Sequence, residues 1–492
     1  MVAALTAQQT QSVREFDLLV IGGGPGGYVA AIRAAQHGLS VGLVEKERPG
    51  GVCLNWGCIP TKAMLRSAEV LQTVRDAAVY GVQADNVGFD YAAVRRRMAD
   101  VVTGLTDGVA GLLKANGVTV IEGHARFTGP TTVEICDLAP GPVDGPRYAA
   151  QAAEVVDAAT ARDVIIATGS TPIPLPIPGA DLLGVITSDG AFGLTAVPER
   201  IVIVGGSAVG AEWASLFAAF GAAVTVVEMR DTLVPAEDSD IGAALGRSFT
   251  QRGITVLTGS TVSSIARADA LRVTVAGPKP AEIDADVVLF GVGRKPNTAD
   301  LGLAVAGVAV DERGFVGVDD QLRTNVDHVY AIGDVTGKAL LAHVASHQGL
   351  TVADVVAGHD KRIDYDVVPA ATFTHPEIAS VGLTEAEAKA AGHDPVTAKF
   401  PFAALGRART FGDTEGFVKI VAGREHGEVL GAHIIGPSAS DLITEAALAI
   451  TLEATLDELA DTIHAHPTLG EIGMEAALAA LGLPVHITPP KR

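Results

Sequence analysis

Short apolar runs of strand length recur along the chain, separated by stretches with helical spacing. The first run, Phe16-Asp17-Leu18-Leu19-Val20-Ile21, predicts a strand. It meets the glycine turn Gly22-Gly23-Gly24-Pro25-Gly26-Gly27, then a helical pattern through Ala30, Ala31, Ile32, Ala34 and Ala35. A second strand, Ser40 to Val44, ends on Glu45. Helical spacing follows from Pro60 to about Val79 and again from about Tyr91 to Asn116. A short strand at Val118–Ile121 leads to Gly123, His124 and Ala125. Asp163 to Ala167 predicts another strand, ending at Thr168, Gly169 and Ser170. The proline-rich stretch Thr171 to Gly179 suits neither a helix nor a central strand, and predicts a connection out of the first domain.

The pattern then repeats. Arg200 to Val204 predicts a strand, Gly205-Gly206-Ser207-Ala208-Val209-Gly210 a turn, and Ala211 to Phe220 a helix. Ala223 to Val227 predicts the next strand, and Glu228 follows it. Strands return at Ala285–Phe290, ahead of Gly291-Val292-Gly293, and at Val329–Ile332, ahead of Gly333 and Asp334. From Val367 the pattern changes. Alternating stretches at Phe417–Val421 and Gly431–Ile435 precede helices at Ala439–Leu452 and Leu456–Thr462, and a last helix runs through Ala480. The expected fold is α/β, with two Rossmann-like dinucleotide-binding domains and a C-terminal α+β domain.

Gly22, Gly24 and Gly27 fit G-x-G-x-x-G between a strand and a helix, which brings backbone N–H groups close to a pyrophosphate. Glu45, about twenty residues on, is placed to accept from ribose hydroxyls. In the repeat Ser207 takes the middle glycine position, a departure from the pattern. Glu228 favours a free ribose 2′-hydroxyl, hence NAD over NADP, although Arg230 lies nearby. Asp334 ends its strand where open α/β sheets bind ligands; it reads as a cofactor contact, with a helix cap as the plainer reading.

Between the first two dinucleotide elements and the long helices lies Gly50-Gly51-Val52-Cys53-Leu54-Asn55-Trp56-Gly57-Cys58-Ile59-Pro60-Thr61-Lys62. In a regular helix, residues five apart are separated by about 7.5 Å along the axis and face different ways. Disulfide partners need Cα atoms roughly 4.4–6.8 Å apart, so Cys53 and Cys58 need an irregular turn between them. Asn55-Trp56-Gly57 supplies turn residues. Pro60 suits the first turn of a helix, which leaves Cys58 just outside the helix N-terminus with Lys62 one turn in. Both features favour a thiolate at Cys58 over one at Cys53. The expectation is a redox-active pair whose sulfurs do different work; a structural disulfide or a coincidental pair is the plainer reading. Two sulfurs are half a zinc site, and no second cysteine pair completes one, so no metal is expected.

Composition narrows the classes. The chain has 492 residues, 48% apolar and 19% charged, which predicts several globular domains. With three cysteines it is not a secreted disulfide scaffold, and the third, Cys136, reads as a plain strand residue. A net charge of −21 speaks against nucleic acid or an anionic membrane. Met1 to Glu15 lacks the basic start and apolar run of a secretory signal and reads as a short loose extension. No apolar stretch of about twenty residues predicts a membrane span.

Taken together, these motifs resemble the pyridine nucleotide–disulfide oxidoreductase family over roughly Phe16 to Ala480. The most specific segments are residues 50–62 and His464-Ala465-His466-Pro467-Thr468-Leu469-Gly470-Glu471. Residues 331–334, 372–382 and 400–408 support them. The resemblance is strongest to members that oxidise dihydrolipoamide with NAD⁺. It implies non-covalent FAD in the first fold and NAD⁺/NADH in the second. The implied domains are 1–171 and 297–366 for FAD, 172–296 for NAD, and 367–492 for the interface of a homodimer. By resemblance, Cys58 faces the flavin as thiolate, Cys53 is the interchange thiol, Lys62 lies near the flavin, and Glu212 pairs with Lys62. By resemblance, Gly51, Ala125, Thr168, Gly169, Ser170, Asp334 and Ala342 join Gly22, Gly24, Gly27, Glu45 and Lys62 at FAD. Gly205, Gly206, Val209, Gly210, Glu212, Glu228 and Gly293 are the NAD set.

The resemblance makes His466 the acid–base residue, oriented by Glu471 and contributed from the partner subunit. Each dithiol step moves a proton, and imidazole titrates near operating pH. His464 competes on sequence alone, and Glu471 stands at the family's spacing from His466. His343, His375 and His433 are read as structural or interface residues. Lipoyl and subunit-binding domains of a 2-oxoacid dehydrogenase acyltransferase core are the implied partners, in the cytoplasm. The rival is another disulfide reductase of the family, specific for glutathione, trypanothione, mycothione or mercuric ion. Glu228 argues against an NADPH-dependent rival. The cysteine-free end Pro484 to Arg492 argues against a mercuric reductase.

Overall fold

The computed structural model describes residues 13–138 and 152–488. The expected loose extension falls outside these residues up to position 12; Arg14 already belongs to the first strand, Arg14–Ile21. The chain divides into two compact units. One comprises residues up to 63, 95–172 and 293–364; the other comprises 64–94, 173–292 and 365–492.

The first unit is built on a seven-stranded sheet. Thr119–Glu122, Val41–Glu45, Arg14–Ile21 and Ala152–Ile166 lie parallel in that order, and Val329–Ala331 also pairs in parallel with Ala152–Ile166. Thr132–Leu138 and His124–Phe127 continue the sheet antiparallel. Leu18, Leu19, Val20 and Ile21 are all buried, as a strand covered on both faces requires. Two helices, Pro25–Gln36 and Ala342–Val356, pack backbone against backbone on this sheet. A Cβ on Gly349 would sit 2.4 Å from the Gly26 carbonyl oxygen, so only glycine permits this approach. The strand expected at Asp163–Ala167 extends back to Ala152. Its outer part pairs antiparallel with Thr132–Leu138 and carries no apolar run to announce it.

The second unit holds three sheets. A parallel sheet orders Thr255–Leu257, Ala223–Val227, Arg200–Val204, Val287–Phe290 and Val185–Thr187. Thr261–Arg267, Leu271–Ala276 and Ala281–Ala285 form an antiparallel sheet that the apolar pattern did not announce. The single strand expected at Ala285–Phe290 is therefore two. Asp286 breaks it, accepting from the Arg200 backbone N–H at 2.9 Å and pairing with its guanidinium at 2.6 Å. The third sheet is antiparallel, ordered Ala370–Thr372, Ile378–Gly382, Val429–Ile435, Phe417–Gly423 and Pro395–Pro401. Helices Ala439–Thr451, Leu456–Asp461 and Glu471–Ala480 contribute to its core through Ile443, Leu456, Leu459, Ile472 and Ala476. Within this unit Lys419, buried on its strand, binds Asp238 at 2.9 Å and Asp240 at 2.8 Å. Its burial opposes the charge, but the two carboxylates hold the ammonium above its usual range.

Candidate active site

The two glycine turns share one geometry. Gly22 has φ +104° and Gly205 φ +103°, where a side chain would be strained. A Cβ on Gly27 would lie 1.9 Å from the Gly22 carbonyl oxygen, and one on Gly210 would lie 1.9 Å from that of Gly205. The Gly23 N–H donates to Glu45 Oε2 at 2.6 Å, and the Gly206 N–H donates to Glu228 Oε2 at 2.6 Å. Each acidic residue thus clamps its own turn. The second oxygens accept from the Glu47 and Arg230 N–H groups, at 2.9 and 2.7 Å. Burial pushes the Glu45 carboxyl up, against the bonds from the Glu47 and Gly23 N–H groups. Ser207 keeps the backbone of its counterpart: φ −73° and ψ −179°, beside −67° and −177° at Gly24. Its Cβ therefore costs no strain. The repeat's helix starts at Ala208, three residues before the expected Ala211.

The redox segment abuts the first turn. Gly50 donates from its N–H to the Gly23 carbonyl at 2.8 Å, and a Cβ on Gly51 would lie 2.6 Å from Gly24 Cα. Cys53 lies in the short helix Gly51–Trp56 and Cys58 opens the helix Cys58–Arg75. That helix begins two residues earlier than expected. The Gly57 carbonyl accepts from the Thr61 N–H at 3.1 Å and from Thr61 Oγ1 at 2.7 Å, which closes a full turn before Pro60 acts. Pro60 then sits in the first turn, where a missing N–H costs nothing. Cys58 is the first helical residue rather than the one outside, and Lys62 stands one turn on. Neither sulfur is in a disulfide, and the two are hydrogen-bonded to each other. That bond to Cys58, then burial, pushes the Cys53 thiol far up; Lys62 opposes and Asp334 adds to the rise. Cys53 is thus the sulfur that keeps its proton.

The same unit carries the residues expected at FAD, together with Tyr28, Arg294, Asn297 and Gln348, which the sequence did not single out. Tyr28, beside Cys53, has its phenol pushed up by burial and by that sulfur. Asn55 donates from Nδ2 to the carbonyls of Gly51, Arg48 and Pro49, at 3.0, 3.3 and 3.4 Å, while its buried Oδ1 has no hydrogen-bond partner. Asp334 lies in the short turn Gly333–Thr336 and accepts from Ser170 Oγ at 2.5 Å. Burial raises its carboxyl against Ser170 and the Arg294 guanidinium. Arg294 donates to Ser170 through Nε and Nη2, each at 2.7 Å. Thr168 and Asn297 exchange two hydrogen bonds, and Gly169 has φ +68°. Gln348, fully buried, accepts the Gly333 N–H at 2.5 Å. Ala342 opens the helix Ala342–Val356, and Ala125 is buried in His124–Phe127.

In the second unit Glu212 is buried on the helix Ala208–Ala219, its Oε1 accepting from the Phe373 N–H at 2.9 Å. Val209 is exposed in that helix's first turn. Gly291 lies against Gly205, and Gly293, two residues on, has φ +121°. His466 Nδ1 stands 2.7 Å from Glu471 Oε1, and the Thr468 N–H donates to Oε2 at 2.7 Å. Burial opposes the Glu471 charge, yet the Thr468 N–H and His466 hold the carboxyl below its usual range. The His466 ring is 78% exposed, whereas the His464 ring is 10% exposed with both nitrogens engaged. The two histidines thus differ in exposure and in how many ring nitrogens are engaged. His433 is buried, which pushes its imidazole down, whereas His375 is exposed on this chain. Cys136 is buried in Thr132–Leu138.

A family model for pyridine nucleotide-disulphide oxidoreductases matches residues 16–349, and one for their dimerisation domain matches 368–477. The chain belongs to the pyridine nucleotide-disulphide oxidoreductase family. Among its relatives is a protein named dihydrolipoyl dehydrogenase from Haloferax volcanii, 46% identical over 96% of this chain and 97% of that one. Another of that name, from Geobacillus stearothermophilus, is 44% identical over 96% of this chain and 98% of its own. The crystal structure of LpdA from Mycobacterium tuberculosis matches with a TM-score of 0.84 and 29% identity, covering 94% of this chain and 99% of that one. The HOCl-induced flavoprotein disulfide reductase RclA from Escherichia coli matches at 0.82 and 28%, with the same coverage.

The family's nucleotides, FAD and NAD(H), fit the two turns. Each turn offers a glycine surface that a Cβ would fill, at the start of a helix, with a carboxylate at the end of the next strand. The orphaned Asn55 Oδ1 lies in the redox segment and the half-buried Asp334 acts on its Cys53, polar groups that suit a large polar cofactor. The matched dimerisation domain is the segment that carries His466, and it supports a homodimer. Among the described residues no helix is long and apolar enough to cross a membrane.

Proposed function

We propose that this chain oxidises dihydrolipoyl groups to lipoyl groups and reduces NAD⁺ to NADH, as a dihydrolipoyl dehydrogenase. The observation that carries the reading is the unequal sulfur pair, in which Cys53 keeps its proton and Cys58 opens a helix with Lys62 one turn on. The name of the full-length relatives supplies the substrate class.

Oxidation starts from the pair in its oxidised state, the Cys53–Cys58 disulfide. His466 takes a proton from one substrate thiol, with Glu471 bonded to Nδ1 so that Nε2 is the nitrogen that receives it. The substrate thiolate attacks Cys53 Sγ; the Cys53–Cys58 bond breaks and Cys58 leaves as thiolate. The second substrate thiolate then attacks the first substrate sulfur and closes the lipoyl ring. Cys53 is released and takes its proton from His466. Two electrons pass from the substrate dithiol to the cysteine pair, and one proton is released. FAD, when bound, supplies the two-electron carrier between the cysteine pair and NAD⁺. Gly22, Gly24, Gly27, Glu45, Gly51 and Asp334 would hold it; Gly205, Gly206, Gly210 and Glu228 would hold NAD⁺. The helix start and Lys62 favour negative charge at Cys58.

The substrate is a lipoyl group carried on a lipoyl domain, and the acyltransferase core's subunit-binding domain is the docking partner, in the cytoplasm. The net charge of −21 supports docking to a basic module. The test is anaerobic. Dihydrolipoamide is added to the holoenzyme, and NAD⁺ or NADP⁺ is then supplied separately. NADH formation that prefers NAD⁺ is expected. If neither nucleotide is reduced, while another small disulfide is reduced at the expense of NADPH, the reading gives way to a reductase.

A further inference from the structure

His464 and Glu445 lie outside the machinery assigned so far, and together they tie down the loop that presents His466. The loop runs between the helices Leu456–Asp461 and Glu471–Ala480. His464 Nδ1 stands 2.8 Å from the Thr462 carbonyl oxygen, and Nε2 stands 2.8 Å from Glu445 Oε1. A carbonyl and a carboxylate only accept, so the ring satisfies both by donating from both nitrogens. Glu445 reaches this ring from the helix Ala439–Thr451. Its other oxygen lies against Gly473 in the following helix, where a Cβ would approach it to 3.1 Å. One carboxylate thus touches the loop on one side and the helix bearing Glu471 on the other. His466 itself is mostly exposed, and Glu471 is its bonded neighbour, so the ring's place depends on how firmly the loop is held.

We propose that His464 and Glu445 form a positioning pair for His466, anchoring its loop and placing a positive charge beside the His466–Glu471 couple. The pair rests on the functional reading above for its relevance to turnover. The charged groups that act on Glu471 are His466 and His464; Glu445, on the preceding helix, bonds His464, and Glu475, one turn beyond Glu471, is bonded to His486 at 2.6 Å. The His464 charge is one of the influences that hold the Glu471 carboxyl down, behind the Thr468 N–H and His466.

The test uses the FAD-loaded dimer and a readout that needs no substrate. Carbethoxylation of His466 by diethyl pyrocarbonate is followed by peptide mapping across pH, in the unsubstituted enzyme and in His464→Gln. Removing a neighbouring positive charge lets the His466 imidazolium hold its proton to higher pH, so the midpoint moves up by about half a unit. In turnover, His464→Gln lowers kcat on the order of tenfold with KM kept. Glu445→Gln, at a partly exposed carboxylate, lowers kcat in the same direction, and the double variant is no worse than His464→Gln alone. An unmoved midpoint in His464→Gln, or losses that simply add in the double variant, overturns the positioning pair. If the unsubstituted enzyme fails to oxidise dihydrolipoamide while the midpoint moves as expected, the functional reading falls and the pair stands.

Discussion

Cys53 and Cys58 carry the same side chain and differ only in surroundings. Cys58 opens a helix with Lys62 a turn away, and its hydrogen bond with Cys53 keeps the proton on the latter. Cys53→Ser therefore removes the electrophilic sulfur without touching the nucleotide cradles. Dihydrolipoyl oxidation should fall by at least on the order of a thousandfold while bound FAD stays near one per chain. Loss of FAD in that variant would show the segment to be structural instead. The unequal surroundings of the two cysteines were legible in the sequence because spacing, turn residues and Pro60 all act locally. His466 was favoured over His464 by its spacing from Glu471, but the partner that occupies His464 was not legible: Glu445 stands nineteen residues away on another helix and engages one of the two His464 nitrogens.

At the scale of elements, the two strand–turn–helix units show how one local device can be used twice. Gly27→Ala and Gly210→Ala each drive a methyl into a carbonyl oxygen at 1.9 Å, so both turns must open. The first substitution should purify without flavin colour. The second should keep FAD and lose NAD⁺ reduction, and a loss of FAD from Gly210→Ala would contradict the division of labour between turns. A third element-level feature is Asp354, which accepts from Arg33, His37 and Lys361 at 2.8–2.9 Å and joins the helix Ala342–Val356 to Pro25–Gln36. Burial opposes its charge, but the hydrogen bonds from His37, Lys361 and Arg33 hold its carboxyl well below the usual range. A carboxyl depressed by folding stabilises above its unfolded value of about 3.8, and that contribution fades as pH falls through the folded value. Asp354→Asn should thus cost about 1–2 kcal/mol at pH 7 and progressively less below pH ~4, read from urea midpoints. The paired glycine units were plain in the sequence, where apolar runs are bounded by glycine. The sheet at Thr261–Ala285 and the outer half of Ala152–Ile166 were not, because antiparallel strands with one wet face leave only a short alternation.

At the scale of the whole molecule, the exposed His466 and the dimerisation domain around it raise the question of which chain's cysteines it serves. The family resemblance implies the partner's. The consequence can be counted. Cys53→Ser and His466→Gln homodimers are each inactive, since each lacks one partner of the thiol exchange. Mixed at equal amounts and allowed to exchange subunits, they form heterodimers in half of all dimers. If the histidine acts across the interface, one site of each heterodimer combines an intact Cys53 with an intact His466 from the other chain, and its second site carries both substitutions. The mixture should then recover about one quarter of the unsubstituted activity. If each chain uses its own histidine, every site in every dimer keeps one defect and nothing is recovered. Subunit exchange is scored separately, by native mass spectrometry of differently tagged chains. Exchange without recovered activity would place His466 in the same chain as its cysteines, and the dimer would then be needed for stability rather than for completing the site.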